Sequence, residues 1–191
     1  MANHRPAIRL RLSIGIVAAA GLAAVALAIS PHASAEDALL APVTICPNPS
    51  ISAPPAVQIK AMVCYHRYAR RRARVRDLQT SIRLFRSAAL KARWITVCGR
   101  FTHTPCGHSL ATAFSDVGYT RGAWSIGENL GWGSGSLASV REMFNSWLRS
   151  PEHRQNIVRG WWRELGLARI HLIHLFGNDD VTLWVAHFGS H

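Results

Sequence analysis

The stretch SVREMFNSWLRSPEHRQNIV, residues 139–158, constrains the fold more than any other part of the chain. Ser139 and Glu142 have the spacing of a capping box, in which the two side chains satisfy free backbone amides at the start of a helix. Apolar residues then recur at the intervals of one helix face, at Val140, Met143, Phe144, Trp147 and Leu148. The helix should end before Ser150-Pro151, because the residue preceding a proline avoids helical angles. The same pair is a suitable cap and first residue for a second helix.

The sequence after these helices predicts a β-hairpin. ELGLARIHLIHL (164–175) and VTLWVAHF (181–188) are rich in branched and aromatic residues, which favour strands. GNDD (177–180) lies between them and is typical of a turn.

Upstream, a loose helical pattern begins at Ala56. A clearer helix is predicted from the apolar spacing of Leu78, Ile82, Phe85, Ala89 and Trp94. Basic residues, among them Lys91, fall largely between these positions. Helices followed by strands favour an α+β layered domain with antiparallel pairing.

The first 35 residues have the order of an export signal. A basic segment, MANHRPAIRLRLS, precedes the apolar run IGIVAAAGLAAVALAI, and Ala33-Ser34-Ala35 matches the small-x-small pattern that signal peptidases cut. The alternative is an uncleaved membrane anchor, although the run is somewhat short for a span. We therefore expect a signal peptide at 1–35, a proline-rich linker at 36–55 and a single domain at 56–191. The protein is then secreted, extracellular or held in the cell envelope.

Export affects the interpretation of the four cysteines. In an oxidising compartment an even number of cysteines indicates disulfides, and three pairings are possible here. Cys98 and Cys106 flank a short loop, so we prefer a bond between them. Cys46 lies just before the segment that contains Cys64, so we prefer the second bond there. A zinc site built from thiolates would need paired C-x-x-C spacing, which the sequence lacks.

The formal net charge is +12, which attracts acidic partners such as anionic cell-wall polymer or lipid headgroups. The densest basic run is RYARRRARVR, residues 67–76. We interpret it either as a solvated helix face or as an adhesive surface. A nucleic-acid partner is not expected, because only Tyr65 and Tyr68 could serve nearby as stacking platforms. A membrane is a partner only if the N-terminal segment stays uncleaved.

Candidate chemistry is spread over three segments, which carry His103, Glu128 and His153. Two histidines and a carboxylate from separate segments can converge on a divalent metal, or act as general acid and base. Spacing alone does not establish that they meet, and the alternative is a surface histidine. We take that alternative for His66, His108, His171 and His174. Asn129 is expected to bond locally within its glycine-rich turn, and core positions are expected for Trp132, Trp161, Trp162 and Trp184.

Six motifs in order resemble the bacterial SCP-domain branch of the CAP superfamily, named for cysteine-rich secretory, antigen 5 and pathogenesis-related 1 proteins. They are GRFTHTPCG, GY, GENLGWG, SWLRSPEHRQNIV, WWRELGLA and WVAHFG. The resemblance covers roughly residues 57–189. It implies an α+β fold, a three-layer α-β-α sandwich with a central antiparallel sheet. It also implies a cleft with two histidines and two acidic residues, in which some members bind Zn²⁺ or another divalent cation.

Matched motif by motif, the cleft histidines are His103 and His153 and one acid is Glu128. The second acid does not transfer, because Ser150 stands three residues after Trp147, where eukaryotic members place a glutamate. The candidates that remain for it are Glu152 and Glu164.

The resemblance implies a secreted protein that binds a lipid or cell-wall-associated ligand through a His/Glu cleft. The alternative is a divalent-metal-dependent hydrolase, with His103 and His153 as ligands and Glu128 as base. No nucleophile is evident for that reaction. A third interpretation is a purely structural cell-surface protein whose basic residues supply adhesion, and fold does not decide among the three functions.

Overall fold

The structure is a computed structural model that describes residues 38–122 and 124–191. The predicted signal peptide at 1–35 lies outside the described residues. Within them, no helix combines the length and apolar character needed to cross a membrane.

The chain folds into helices and one sheet. The helices are α1 (Pro55–Arg72), α2 (Ile82–Cys98), α3 (Thr112–Asp116), α4 (Val140–Arg149) and α5 (Pro151–Val158), with 3₁₀ turns at Pro105–Gly107 and Gly135–Ala138. The strands are β1 (Gln79–Thr80), β2 (Ser125–Gly133), β3 (Glu164–Leu175) and β4 (Asn178–Ser190).

The sheet is mixed and has the strand order β1-β3-β4-β2. Its three long strands pair antiparallel, and only the two-residue β1 runs parallel, beside β3. The predicted hairpin is formed by β3 and β4. Its turn is Phe176–Gly177 rather than the GNDD segment, and both turn residues have positive φ, 53° and 75°. This is the pattern of a tight two-residue hairpin turn, and β4 therefore begins at Asn178, before the apolar run.

Alternate residues of β4 point to opposite layers. Trp184, Ala186 and Phe188 pack in a core that includes residues of α1, α4 and α5. Leu183 and Val185 pack with Ala88, Ala92 and Ile95 of α2 on the other face. Helices therefore cover both sides of the sheet, and the α+β fold with α-β-α layers is confirmed.

Both helix caps predicted within residues 139–158 are present. Ser139 Oγ accepts from Glu142 N at 3.3 Å, and Ser150 Oγ accepts from His153 N at 3.4 Å. These bonds satisfy amides that have no partner inside the helix. The second cap fixes His153 in the first turn of α5.

The face that α2 buries differs from the one predicted by apolar spacing. Ile82 is 66% exposed, and the buried residues are Leu84, Ser87, Ala88, Lys91, Ala92 and Ile95. Two of these are polar, so a search for apolar residues alone could not find this face. Ser87 and Lys91 are buried because they bond to groups of the site described below.

Residues 38–54, expected to form most of a linker, pack against the domain. Ala41 and Cys46 are fully buried and belong to the same core as α1 and α4. Arg141 Nη1 also donates to the backbone oxygen of Ala41. Cys46 is bonded to Cys64 of α1, one of the two pairings preferred from the sequence.

The basic run 67–76 is only partly a solvated face. Arg70 is fully buried and donates to the backbone oxygens of Arg76, Ile157 and Arg159. It therefore ties the end of α1 to the end of α5. Arg71, by contrast, is exposed and forms an ion pair with Asp77 at 2.7 Å.

Candidate functional site

The site is built on the pairing of β2 with β4. The register places Glu128 directly opposite His187, and residues directly opposed in an antiparallel pair share one face. His187 Nε2 lies 2.8 Å from Glu128 Oε2, and His187 is fully buried, its ring stacked on Phe114 with centroids 4.1 Å apart.

The glycines of β2 allow large side chains to cross close to this strand. A Cβ at Gly131 would overlap Met143 Sδ and Trp147 Nε1. Trp147 Nε1 instead donates to the backbone oxygen of Leu130 at 2.9 Å. The glycine pattern of GENLGWG therefore reflects close packing of α4 on β2.

The second oxygen of Glu128 binds His103. His103 Nδ1 donates to Glu128 Oε1 at 2.6 Å, because an ionised carboxylate can only accept. The carboxylate is 1% exposed whereas the His103 side chain is 55% exposed. The pair thus joins the buried network to the surface, with His103 Nε2 on the side away from Glu128.

Three contacts hold the loop that carries His103. Cys98 and Cys106 are bonded, with Cα atoms 5.7 Å apart, as preferred from the sequence. Lys91 Nζ, reaching from α2, donates to the backbone oxygen of His103 at 2.6 Å. His108 stacks on Trp94 of α2 with ring centroids 4.0 Å apart, which packs the far end of the loop.

Lys91 also approaches the carboxylate itself. Its Nζ is 3.5 Å from Glu128 Oε2, and the two side chains are 0% and 1% exposed. Burial tends to raise the pKa of Glu128, but the hydrogen bonds from His103 and His187 and the positive charge of Lys91 outweigh it. The pKa of Glu128 is therefore lowered to about 2, and the group is ionised at neutral pH.

His187 continues the network into the core. Burial lowers the pKa of His187 more than Glu128 raises it, so the ring is neutral at neutral pH. Nε2 faces a carboxylate oxygen and must carry the proton, which leaves Nδ1 as an acceptor. Ser87 Oγ lies 2.7 Å from Nδ1 and 3.0 Å from the oxygen of Leu84, and its single proton is directed to Nδ1. Ser87 is fully buried, so this hydroxyl is not an accessible nucleophile.

His153 approaches the cleft from α5. Burial lowers the pKa of His153, and the nearby charge of His103 lowers it further. The backbone oxygen of His153 accepts from Asn129 Nδ2 at 2.9 Å, and Asn156 Nδ2 donates to Asn129 Oδ1, also at 2.9 Å. The prediction of a local role for Asn129 is therefore wrong, because this buried amide links β2 to α5.

The two candidates for the second acid have other partners. Glu152 is exposed and accepts from Ser150 Oγ at 3.0 Å. Glu164 accepts from the Tyr119 hydroxyl at 2.6 Å. Neither carboxylate bonds to His103, Glu128 or His153 among the described contacts.

A family model described as the Cysteine-rich secretory protein family, CAP, matches residues 63–188. The chain belongs to the CAP family. The match spans the α1–β4 region that holds the whole carboxylate network.

Two solved structures share the fold of this CAP domain. An outer surface protein from Borrelia burgdorferi is 18% identical, with a TM-score of 0.58, and the match covers 75% of this chain and 96% of that one. An extracellular SCP-domain protein from Bacillus anthracis is 15% identical, with a TM-score of 0.55, over 69% of this chain and 41% of that one. At these identities the likeness shows the fold alone. No curated protein matches the chain.

The cleft of this CAP domain does not fit the divalent metal that the resemblance implied. In residues 38–122 and 124–191, no group of three or more His, Cys, Asp or Glu side chains could hold a metal ion. Both oxygens of Glu128 are engaged, Oε1 by His103 and Oε2 by His187 and Lys91. A Zn²⁺ ion at this carboxylate would have to displace one histidine and lie beside an ammonium group.

Two predictions about residues outside the cleft are wrong. His66, taken as a surface histidine, is 1% exposed. Trp161, taken as core, is 55% exposed, and the Arg159 guanidinium lies 4.6 Å from its ring centroid.

His187 and Lys91 are site residues that the sequence patterns did not single out. Their patterns were present but ambiguous. His187 occupies the α2-facing register of β4, two residues after Val185. Lys91 stands four residues after Ser87, a spacing that places both on one helix face.

Proposed function

We propose that this CAP domain is an exported binding module for a lipid or cell-wall-associated ligand, and that it contacts the polar part of the ligand in the His103–Glu128 cleft. The observation that carries the proposal is the half-exposed His103 imidazole held by a carboxylate that is 1% exposed. Such an anchored ring is a preorganised hydrogen-bonding group. His153, neutral at neutral pH because burial lowers its pKa, supplies a second imidazole.

Export is supported by three observations. The chain has an N-terminal basic and apolar segment followed by an Ala-Ser-Ala site. All four cysteines are paired in disulfides, which persist in oxidising compartments. The two related structures are described as an outer surface protein and an extracellular protein.

An anionic partner is supported by a groove on the outer side of α1, with a volume of about 430 Å³. Ile45, Val63 and Tyr68 contribute its apolar lining, and Lys60 and Arg67 contribute positive charge. Within the described residues neither cation forms a hydrogen bond or an ion pair, so both charges are uncompensated. Uncompensated cations beside an apolar surface favour wall polyanions or lipid headgroups as partners.

The alternative is a metal-dependent hydrolase that uses the same cleft. That chemistry needs a metal-bound water or an accessible nucleophile. Ser87, the hydroxyl joined to the His187–Glu128 pair, is fully buried. The geometry therefore favours recognition of a ligand over its hydrolysis.

The proposal is tested by following the imidazole NMR signals of the exported protein during titration. The probes are soluble peptidoglycan fragments, wall teichoic acid, and vesicles of phosphatidylglycerol. We expect one of them to shift the signals of His103 and His153. We also expect His103→Ala to weaken binding by about tenfold, the loss of one hydrogen bond to an anion.

The matched control is His174→Ala, at an exposed hairpin position. It should bind like the wild type. Equal binding by His103→Ala would contradict a role for the cleft. Appearance of cleaved probe would instead favour the hydrolase.

A further inference from the structure

The cleft contains a cation of its own. We propose that Lys91 is the counter-ion of Glu128, that it supplies the positive charge which a divalent cation would otherwise supply to this carboxylate, and that the cleft therefore works without metal. This inference holds whichever ligand the cleft binds.

Charge balance in the core requires a cation near Glu128. Glu128 is ionised and its side chain is 1% exposed. Without a positive partner, burial of this charge would destabilise the fold strongly, because the carboxylate loses its hydration. His187 is neutral and supplies a hydrogen bond without a full charge. Lys91 has no exposed side-chain surface, and its ammonium nitrogen lies 3.5 Å from Glu128 Oε2.

Helix α2 holds Lys91 beside the carboxylate. Lys91 and Ser87 are four residues apart and both buried on the face of α2 that packs against the sheet. Ser87 bonds to His187 at 2.7 Å, and His187 bonds to the same oxygen, Oε2, that Lys91 approaches. One helix face thus supplies a direct and an indirect contact to the same carboxylate oxygen.

Lys91 also positions the exposed histidine. Its Nζ donates to the backbone oxygen of His103 at 2.6 Å, while His103 Nδ1 bonds to Glu128 Oε1. A single ammonium group therefore fixes both the carboxylate and the loop that the carboxylate orients. A metal ion bound at Glu128 would compete with the Lys91 ammonium for the same oxygen and be repelled by it.

The test removes the charge and asks whether a metal site appears. Lys91→Met keeps an unbranched apolar stem and lacks the ammonium. Zinc chloride is titrated by calorimetry and by thermal unfolding at neutral pH. We expect Lys91→Met to bind zinc at least tenfold more tightly than the wild type and to unfold at a higher temperature with zinc. Lys91→Met/Glu128→Gln should lose this gain.

Arg86→Met is the matched control, because Arg86 is a cation of the same helix, α2, and is exposed. It should bind zinc like the wild type. Zinc binding by the wild type as tight as that of Lys91→Met would overturn the proposal.

Lys91→Met leaves a buried carboxylate unpaired, so it can unfold without added metal. In that case we expect zinc to restore the far-ultraviolet circular dichroism spectrum of the folded protein. We also expect Lys91→Met/Glu128→Gln to fold without zinc. If zinc restores no structure and the double variant also fails to fold, Lys91 stabilises the protein by packing alone and the proposal is wrong.

Discussion

His66 offers a sharp test of the electrostatics of the core. The residue lies in α1 and is 1% exposed, with its ring 5.0 Å from that of Phe144 and 5.8 Å from that of Phe188. Nδ1 donates to the backbone oxygen of Met62 at 2.9 Å, and Nε2 has no partner within the described residues. A second proton on this ring would be a buried charge, so burial lowers the pKa of His66 to about 4.

The sign of the effect follows from the two states. Between pH 6.5, the ordinary value for histidine, and about pH 4, the unfolded chain binds a proton at His66 and the folded chain does not. Stability therefore decreases as the pH falls through this window. At about 1.4 kcal/mol per pKa unit, His66 accounts for a loss of about 3 kcal/mol of unfolding free energy between neutral pH and pH 4.

His66→Leu removes the titrating ring and keeps an apolar side chain of similar size. Urea unfolding with intact disulfides is measured in steps from neutral pH to pH 4. We expect the stability of the variant relative to the wild type to increase by about 3 kcal/mol over this range. His153 and His187 titrate in both proteins and cancel in the difference.

The control is His174→Leu, at the exposed hairpin position, which should follow the wild type at every pH. If the unfolding free energies of His66→Leu and the wild type change in parallel down to pH 4, the reasoning is refuted. The ring would then be protonated in the folded state or already uncharged in the unfolded one.

Three further results are expected. N-terminal sequencing of the exported protein should find cleavage after Ala35, and a chain that starts at Met1 would mean an anchor. Replacing Cys98 and Cys106 with serine should reduce the unfolding free energy by about 2–3 kcal/mol, measured by urea unfolding, because the unfolded chain gains the entropy of an open loop. Unchanged stability would show that this disulfide does not constrain the loop. Gly131→Ala should cost about 1–3 kcal/mol in thermal unfolding, since its methyl group overlaps the Trp147 indole. A melting temperature equal to that of the wild type would mean that α4 shifts freely away from β2.

The features that could be predicted from the sequence depend on residues close together in the chain. Ser139 and Ser150 cap their helices through amides three residues away, so spacing was sufficient. The bond between Cys98 and Cys106 is also local, because the two cysteines are only 8 residues apart in sequence. Motif order was enough to select His103 and Glu128, whose Nδ1 and Oε1 atoms lie 2.6 Å apart in the folded chain.

The features that could not be predicted depend on strand register and helix rotation. His187 joins the site only because β4 pairs with β2 in the register that sets it opposite Glu128, 59 residues away. Lys91 joins it because α2 turns a polar residue toward the sheet. A lone lysine in a helix is exposed in most proteins, so without the partner carboxylate the sequence favours the solvated face.

The contact of Asn156 with β2 has a consequence for how molecules of this protein meet each other. β2 is the last strand of the sheet, and the outward backbone groups of such a strand are a template for a strand from another molecule. Asn156 of α5 donates to the backbone oxygen of Glu128 at 3.2 Å and so occupies part of this template. At the opposite end of the sheet, β1 is only two residues long. The helix that brings His153 to the cleft thus also hinders intermolecular β-pairing at β2. Substitutions in α5 that are intended to alter the cleft therefore carry a risk of aggregation.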